Sequence, residues 1–290
     1  MSLNGVYPAL PTPFDSKGRV DMISVARLLA RTEAHGCQGV VFAGTTGEGS
    51  SLSAVEKRDL IRESVSLRGS LQVILGLATN SLDEAIWLCK RAAEFDCAAV
   101  LAMPPTYFRD ATSEGGLAWM RALIQESPVP VLAYNFPKYM LHPFTADALR
   151  ELAKLPMFAG CKDSSGAPEN LGAFRSAVGS VPSLMTGREL LLPEAKQAGW
   201  DGTISGVASL LGNWVCEINT NDPESAAAKV DLLKPIADAL RDAGMTPCLK
   251  ALLHAEGVLE TPGMRLPLEA CNLDAVERVK ELVHARLGGY

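Results

Sequence analysis

Two residues near the ends of apolar segments have side chains suited to carbonyl chemistry. Lys162 directly follows the apolar segment 158–161, and Tyr134 closes the apolar segment 130–134. A lysine at the mouth of a buried strand is partly desolvated, which disfavours its charged ammonium form. The neutral amine can attack a ketone and form a Schiff base, an electron sink that lets a carbon–carbon bond form or break.

Tyr134 has chemistry that complements such a lysine, because a phenol can both donate and accept a proton. Carbinolamine dehydration and aldol proton transfer each need a group of this kind. Position alone leaves two structural interpretations open. Lys162 could instead pair with Glu48 or Asp163 across the mouth, and Tyr134 could be an amphipathic side chain at the rim.

The elements that must position these residues are predicted from a repeated pattern along the chain. Short apolar segments alternate with helical patterns, and the segments are 6–10, 39–42, 72–77, 99–103, 130–134, 158–161, 183–185 and 203–204. Their polarity does not alternate, which is typical of strands buried on both faces. Ser53 followed by Glu56 predicts a capping box that opens one of the helices.

Eight strands that alternate with helices predict a parallel sheet, and their spacing predicts closure into a (β/α)8 TIM barrel. An open, doubly wound sheet is the alternative, and it is disfavoured because no Gly-x-Gly-x-x-Gly follows the first strand. Residues 222–290 show three helical patterns, punctuated by Pro223, Pro247 and the loop 261–263. We therefore predict a barrel at 1–221 and a C-terminal helical appendage at 222–290 packed on the barrel.

The active site of such a barrel lies at the C-terminal ends of its strands, so the residues there should gather on one rim. They are Thr45, Thr46, Tyr107, Tyr134, Lys162, Gly187 and Ile204. The turn Gly44-Thr45-Thr46-Gly47 has the composition of a loop that presents backbone N–H groups and hydroxyls to an anion.

Composition excludes several classes of partner. The chain of 290 residues carries 27 Lys+Arg against 33 Asp+Glu, a net charge of -6, which argues against nucleic acid or an anionic membrane. No apolar stretch is long enough for a membrane helix, and the first residues lack the pattern of a signal peptide. The seven cysteines are scattered and the four histidines lack metal-ligand spacing. We therefore expect reduced thiols, a cytoplasmic protein and no metal site.

Six short motifs follow one another with the spacing of barrel strands. They are Pro11-Thr12-Pro13-Phe14, Gly44-Thr45-Thr46-Gly47-Glu48, Tyr134-Asn135-Phe136-Pro137, Lys162-Asp163, Gly202-Thr203-Ile204-Ser205-Gly206 and Arg265-Leu266-Pro267-Leu268. Together, from about Val6 to Leu268, they resemble the dihydrodipicolinate synthase/N-acetylneuraminate lyase family of pyruvate-dependent class I aldolases. Each motif is weakly specific alone, but the order of the set makes the resemblance strong.

The resemblance implies a (β/α)8 barrel with a C-terminal helical segment, usually assembled as a homotetramer that is a dimer of dimers. It implies that Lys162 forms an imine with pyruvate or another 2-oxo acid and that Tyr134 moves protons. Thr45 would link Tyr134 to Tyr107, which in this family typically reaches in from a neighbouring subunit. No metal or organic cofactor is implied, because the imine itself is the electron sink.

The resemblance also assigns residues that bind the substrate. Thr45 and Thr46 would hold the pyruvate carboxylate, and Gly187 and Ile204 would line the pocket, largely through their backbone. The partners implied are a small 2-oxo acid and an aldehyde.

Three departures from the family pattern bear on the substrate. Dihydrodipicolinate synthases carry an arginine two residues after the proline of Tyr-Asn-x-Pro, which holds a second carboxylate; Tyr139 stands there. A phenol cannot make the bidentate grip of a guanidinium, and the adjacent Lys138 lacks its fork. The paired tyrosines usual after strand four are reduced to Thr106-Tyr107. The acidic pair usual in N-acetylneuraminate lyases after the strand-seven glycine is missing, and Arg188 begins that loop.

These departures favour an aldolase or lyase that acts on a 2-keto-3-deoxy sugar acid or a related hydroxy-2-oxo acid. Arg188 or Lys138 would then contact the distal half of the substrate, unless Arg188 is only a solvated loop charge. The alternative is a 4-hydroxy-tetrahydrodipicolinate (dihydrodipicolinate) synthase that condenses pyruvate with aspartate semialdehyde. Further alternatives are an imine-forming dehydratase and a non-catalytic pyruvate-binding protein, the last disfavoured because Lys162 and Tyr134 are both present.

Overall fold

The structure is a computed structural model, which describes residues 3–180, 182–220 and 222–289. Eight parallel strands in this part are β1 Gly5–Pro8, β2 Gly39–Phe42, β3 Gln72–Gly76, β4 Ala99–Ala102, β5 Val131–Asn135, β6 Phe158–Asp163, β7 Ser183–Thr186 and β8 Gly202–Ser205. The α-helices in the same residues are α1 Met22–Ala34, α2 Ala54–Ser64, α3 Leu82–Glu94, α4 Ser113–Glu126, α5 Ala146–Leu152, α6 Glu169–Val178, α7 Leu192–Gln197, α8 Ala208–Thr220, α9 Pro223–Asp242, α10 Met245–Ala255 and α11 Leu273–Leu287.

The sheet closes on itself. The strands from β2 to β8 pair in sequence order, and β1 pairs with β8. Between β1 and β2 the closure is made by a bridge from Ala9 to Val41 and by hydrogen bonds from Leu10 N–H to Val41 O (3.1 Å) and from Gln38 N–H to Val6 O (3.0 Å). The predicted (β/α)8 barrel is confirmed, and the open doubly wound alternative is wrong.

The predicted strands are all present; β2 has its predicted bounds, and the other strands differ by one or two residues at one or both ends. β6 runs two residues beyond the predicted segment 158–161, and β5 extends to Asn135. The reason is the ladder between them, which pairs Tyr134 with Lys162 and Asn135 with Asp163. Apolar composition marks the buried part of a strand and not the end of its hydrogen bonds. Lys162 is therefore a residue of β6 itself.

Side chains pack on both faces of the barrel. The inner cluster fills the lumen and includes Tyr7, Val41, Ile74, Leu101, Leu132, Met185 and Ile204. The outer cluster lies between strands and helices, and it continues without a break into α9, α10 and α11. The three C-terminal helices are as predicted. The division into 1–221 and 222–290 stays a prediction, and its boundary residue Asn221 lies outside the described residues.

Candidate active site

Lys162 and Tyr134 lie side by side at the mouth of the barrel. The ladder between β5 and β6 pairs them directly, and the Lys162 Nζ lies 4.3 Å from the centre of the Tyr134 ring. Both side chains are 6% exposed. Because Tyr134 belongs to the inner cluster with Met185 and Ile204, the pair faces the lumen. An amine held there is largely shielded from water.

The neighbouring residues Asn135 and Asp163 fasten the two strands together. Asn135 Nδ2 donates to Asp163 Oδ1 (2.8 Å), and the Asn135 Oδ1 accepts from Phe144 N–H (2.9 Å). Asp163 also accepts from Ser165 N–H (3.0 Å), Ser165 Oγ (2.6 Å) and Asn170 Nδ2 (3.2 Å). Adjacent residues of a strand face opposite sides. Asn135 and Asp163 therefore lock the outer face of the strand ends, which fixes the reactive pair on the inner face.

The carboxylates considered as partners of Lys162 are engaged elsewhere. Asp163 is saturated by the bonds just described, and the buried Glu48 pairs with the buried Lys250. Within the described chain no carboxylate lies at ion-pair distance from the Lys162 Nζ. The interpretation of Lys162 as a structural ion-pair residue is therefore not supported by its contacts.

Thr45 and Thr46 form the turn after β2. The Thr45 Oγ1 lies 3.5 Å from the Tyr134 hydroxyl, so the predicted contact between these two residues is present, at the upper limit of hydrogen-bond distance. Thr46 is half-buried and its hydroxyl faces Gly206, where a Cβ atom would lie 3.2 Å from Thr46 Oγ1. In the described part of the chain the N–H groups of both threonines have no protein acceptor. The turn can thus offer N–H and hydroxyl donors to an anion.

Gly187 and Ile204 lie where the sequence predicted, at the ends of neighbouring strands. The Gly187 N–H donates to Asp163 O (2.6 Å), and a Cβ at Gly187 would lie 1.9 Å from the Ser164 Oγ. Only glycine fits there. Ile204 is 1% exposed in the lumen.

Ser164 is a site residue that sequence analysis missed. It comes directly after Asp163, and successive residues of a strand face opposite sides. The Ser164 hydroxyl therefore lies on the same side as Lys162, next to Gly187. The residue is 7% exposed. Its position in the Lys162-Asp163-Ser164 motif was visible, but its orientation follows only from the strand register.

Tyr107 is not part of this cluster within a single chain. Its side chain is 76% exposed and packs edge-on against Phe108. The loop that carries it is held by Asn80, whose Oδ1 accepts from the N–H groups of Thr106 (2.9 Å) and Tyr107 (3.4 Å). No hydrogen bond among the described residues joins its phenol to Thr45. The contribution of Tyr107 to a neighbouring subunit's site stays a prediction.

Arg188 begins the loop after β7 and is half-buried. Its Nε lies 3.2 Å from where a Cβ of Gly166 would stand, so the guanidinium lies along the loop after β6. No ion pair to Arg188 is present among the described residues. The next residue, Glu189, turns inward to accept from Ser205 Oγ (2.7 Å) and to pair with Arg241. Glu189 therefore has a structural role that leaves Arg188 as the rim charge of this loop.

Tyr139 and Lys138 occupy the rim after β5. The Tyr139 ring packs edge-on against Phe136 with centroids 4.8 Å apart, and the Lys138 Nζ lies 5.4 Å from the Tyr139 ring. Phe136 in turn lies 5.6 Å from the Tyr134 ring. This side of the mouth is an aromatic wall instead of a guanidinium clamp.

The structure also bears on the metal, membrane and thiol predictions. Among residues 3–180, 182–220 and 222–289 no three His, Cys, Asp or Glu side chains are grouped for a metal ion. No helix in those same ranges has the length and apolarity required to cross a bilayer. The seven cysteines are free thiols, but they are not all scattered, because the fold brings Cys37 Sγ within 3.6 Å of Cys216 Sγ.

Comparison with known proteins identifies the family. The model of the dihydrodipicolinate synthetase family matches residues 2–286. The 4-hydroxy-tetrahydrodipicolinate synthase 2 of Halalkalibacterium halodurans is 30% identical over 92% of this chain and 93% of its own. An uncharacterized DapA-like lyase of Chloroflexus aurantiacus is 32% identical over 91% of this chain and 90% of its own.

A solved structure of a chloride-inhibited dihydrodipicolinate synthase from Acinetobacter baumannii, complexed with pyruvate, superposes with a TM-score of 0.93. It is 26% identical, and the match covers 100% of both chains. The two chains thus share the barrel and its C-terminal helices over their whole length. The chain belongs to the dihydrodipicolinate synthetase family. Members of this family are pyruvate-dependent lyases that form or cleave a carbon–carbon bond, so the prediction of a lyase is confirmed.

Proposed function

We propose that this protein is a Schiff-base class I aldolase that joins pyruvate to an aldehyde, or cleaves the product, with a 2-keto-3-deoxy sugar acid or a related hydroxy-2-oxo acid as its substrate. The observation that carries the reaction type is the Lys162 amine, buried beside Tyr134 without a carboxylate partner in the described chain. Such an amine is free to act as a nucleophile.

The reaction follows from this pair. The neutral Lys162 amine adds to the keto carbon, and the keto oxygen takes a proton to give a carbinolamine. Loss of that hydroxyl as water forms the protonated imine. Removal of a proton from the adjacent methyl carbon gives an enamine, whose carbon attacks the aldehyde while the aldehyde oxygen takes a proton. Water then hydrolyses the imine, releases the product and restores Lys162.

Tyr134 is placed to carry the protons of these steps. Its ring lies against the Lys162 Nζ, and its hydroxyl lies near the Thr45 Oγ1. A phenol in hydrogen-bond contact with a hydroxyl can pass a proton either way without leaving the site. Thr45 would orient that phenol, and its side chain is exposed at the mouth where substrate enters.

The Thr45–Thr46 turn is suited to the carboxylate that every 2-oxo acid carries. Unpaired N–H groups of a turn bind anions well, and hydroxyl donors add to the effect. Holding the carboxylate there would place the adjacent keto carbon near the Lys162 amine. On the opposite side of the site, Gly187 has no side chain, which leaves space beside Ser164.

The residues on the rim of the barrel indicate which chemical groups the distal half of the substrate carries. The aromatic wall of Phe136 and Tyr139 offers one phenol but no bidentate cation for a second carboxylate. Ser164 and Arg188, on the other side, supply a hydroxyl and a half-buried guanidinium. Hydroxyl groups of a deoxy sugar acid match these donors and acceptors.

A specific observation favours one other function. Relatives at about this level of identity are named 4-hydroxy-tetrahydrodipicolinate synthases, for example the proteins of Halalkalibacterium halodurans at 30% and Archaeoglobus fulgidus at 31%. In that case Arg188 or Lys138 would have to replace the missing arginine in binding aspartate semialdehyde.

One experiment separates the two functions. The protein is incubated with pyruvate and aspartate semialdehyde, and in parallel with 2-keto-3-deoxygluconate, and product formation is followed. We expect cleavage of the deoxy acid to pyruvate and no rapid condensation with aspartate semialdehyde. The reverse pattern would assign the lysine-pathway reaction and overturn the proposed substrate. Borohydride labelling of Lys162 with pyruvate is expected in both cases, and its absence would overturn the imine mechanism itself.

Assembly is part of the proposal. Tyr107 and Phe108 are exposed aromatic residues on one loop of the rim, and a homotetramer, arranged as a dimer of dimers, would cover them. If Tyr107 completes a neighbour's site, activity falls when the protein is diluted to monomers, and Tyr107→Phe lowers turnover without changing the assembly measured by light scattering. A fully active monomer would exclude this role.

A further inference from the structure

The turn that carries Thr45 and Thr46 is bounded by two strained residues. Ala43 and Glu48 both have a φ of 52°, although neither is glycine. Residues with a side chain rarely adopt this left-handed region, and they hold it only where the surrounding structure imposes it. Something outside the turn must therefore fix its shape.

The Glu48 side chain is the point at which the turn is held. Its Oε1 accepts from the Lys250 Nζ, and its Oε2 accepts from the Arg265 N–H (2.9 Å). Glu48 and Lys250 side chains are both 0% exposed. The Lys250 Nζ also donates to Gly263 O (2.7 Å) and lies 4.1 Å from the centre of the Phe14 ring. Burial lowers the pKa of Lys250, and the Glu48 carboxylate opposes that change.

Arg265 connects the same C-terminal stretch to the flanks of the turn. Its guanidinium donates to Ser51 O (2.9 Å), to Gly18 O (2.8 Å) and to the Glu56 carboxylate (2.9 Å to Oε2). Two of these acceptors, Ser51 and Glu56, lie in and beside the start of α2. Residues of the C-terminal segment thus hold the loop after β2 at the strained Glu48 and, further along the chain, at Ser51 and Glu56.

The partners in this network are far apart in sequence. Lys250 lies 202 positions after Glu48, and Arg265 lies 217 positions after it. Neither cation belongs to the inner cluster that contains Tyr134, because their acceptors lie in the loops after β1 and β2, in the first turn of α2 and at Gly263. The network therefore acts on the position of the turn and not on the reacting atoms.

We propose that the C-terminal segment positions the carboxylate-binding turn through the buried Glu48–Lys250 ion pair, so that Glu48 and Lys250 are positioning residues for pyruvate binding. This inference rests on the proposed function, in which Thr45 and Thr46 bind the carboxylate. It assigns the helices after the barrel a part in the barrel's own site. The ion pair keeps Glu48 in its left-handed conformation and thereby keeps the threonine N–H groups turned to the substrate.

The test measures the pyruvate concentration that gives half-maximal borohydride labelling. The variants are Glu48→Gln, which removes the charge and keeps the shape, and Lys250→Met, which removes the cation. We expect this concentration to rise by about tenfold or more, as when a hydrogen bond to a charged group is lost. Labelling at saturating pyruvate should stay close to that of the wild type, since Lys162 and Tyr134 are untouched.

The matched control is Asp201→Asn. Asp201 pairs with Arg175 (2.6 Å) and accepts from Leu184 N–H (2.8 Å), just before β8 and so at the opposite end of the barrel. This variant should lower the melting temperature without changing the half-saturating pyruvate concentration. A merely structural role for Glu48 and Lys250 would make their variants behave like the control, and that result would overturn the inference.

The labelling experiment distinguishes failure of this inference from failure of the proposed function. If wild-type protein is not labelled at all, the imine mechanism fails; if it is labelled and the folded variants saturate as it does, only the positioning role fails. Should the single variants not fold, the double variant Glu48→Gln/Lys250→Met removes both buried charges and is measured in the same way.

Hydrogen exchange of the wild type gives a second test that needs no variant: pyruvate should slow exchange in residues 44–49 and also in 261–266. Protection confined to the turn would contradict the coupling.

Discussion

Two of the buried lysines, Lys250 and Lys162, differ in the groups that surround the side-chain nitrogen. Lys250, in the seam between the barrel and its C-terminal helices, has a carboxylate, a carbonyl and an aromatic ring around its Nζ. Lys162, at the mouth, has the face of Tyr134 but no carboxylate partner in the described chain. A buried charge is costly unless it is paired. The paired lysine therefore stabilises the fold, and the unpaired lysine is the one available to react.

The same substitution at the two lysines should have opposite consequences, and this is the largest effect we expect. Lys162→Met should abolish borohydride labelling with pyruvate and leave the free energy of unfolding unchanged or higher, because an unpaired buried amine is removed. Lys250→Met should keep labelling at saturating pyruvate but lower the free energy of unfolding by about 3 kcal/mol or more, because Glu48 loses its partner. Mass spectrometry and urea unfolding measure the two quantities. If Lys162→Met is still labelled, Lys162 is not the reactive amine, and the proposed contrast between the two lysines is wrong.

The next effect concerns the residue that lies on Lys162. Tyr134→Phe keeps the ring against the amine but removes the proton carrier, so turnover should fall by roughly a few hundred-fold while pyruvate still binds. Steady-state kinetics with separate measurement of imine formation will show this. Thr203→Val, at a hydroxyl that donates to Thr186 O on the outer side of the strands (2.7 Å), is a control for loss of a buried hydroxyl near the site. Unchanged turnover in Tyr134→Phe would mean that another group moves the proton.

A third buried lysine sharpens the comparison through its dependence on pH. Lys57 is 1% exposed and donates to Leu77 O (2.6 Å) and Ala78 O (3.2 Å), without a carboxylate at ion-pair distance among the described residues. Burial lowers the pKa of Lys57 to about 8. The unfolded chain then holds more protons than the folded chain between this pKa and about 10.5, so stability rises with pH in that window.

This dependence is measured by comparing wild type with Lys57→Met in urea at two pH values. From pH 7.5 to 9.5 the wild type should gain about 2 kcal/mol relative to the variant, as the linkage relation gives for such a pKa. The difference between the two proteins should become flat below about pH 7, where Lys57 is protonated in both states. A difference that does not vary with pH would show that Lys57 keeps its charge when buried.

The smallest effect is expected at the rim. Arg188→Ala should raise the Michaelis constant for the full substrate by about tenfold, the effect of one charge-assisted hydrogen bond. Pyruvate labelling should not change, because Arg188 contacts only the distal half. Lys138→Ala is the matched variant on the opposite wall, where the cation lies over Tyr139. An unchanged Michaelis constant in Arg188→Ala would make this residue a solvated loop charge.

Much of the fold was predictable because its signals are local. Continuous apolar segments separated by helical patterns indicated the strands, and the capping box at Ser53 and Glu56 is present as predicted. The predicted site residues on strands, Tyr134, Lys162 and Ile204, lie in the lumen. Tyr107 could not be placed in the same way, since it lies in a loop and not on a strand, and its side chain is exposed.

Side-chain direction was the main property that the pattern did not contain. Strands buried on both faces have no polar alternation, so their sequence does not tell which residues face the lumen. For this reason Ser164 was missed, and Glu48 and Asp163 were considered as partners of Lys162 although they bond elsewhere.

The sequence by itself determined the alternation of strands and helices, the family, and the lysine and tyrosine that the chemistry requires, because periodicity and residue type are properties of neighbouring positions. Only the tertiary structure decided that Tyr134 and Lys162 share one rung of the ladder, that Asn135 and Asp163 lock it from outside, and that Lys250 pairs with Glu48. These are contacts between residues 28 to 202 positions apart. They depend on how a closed barrel packs against its helices, which local pattern does not encode.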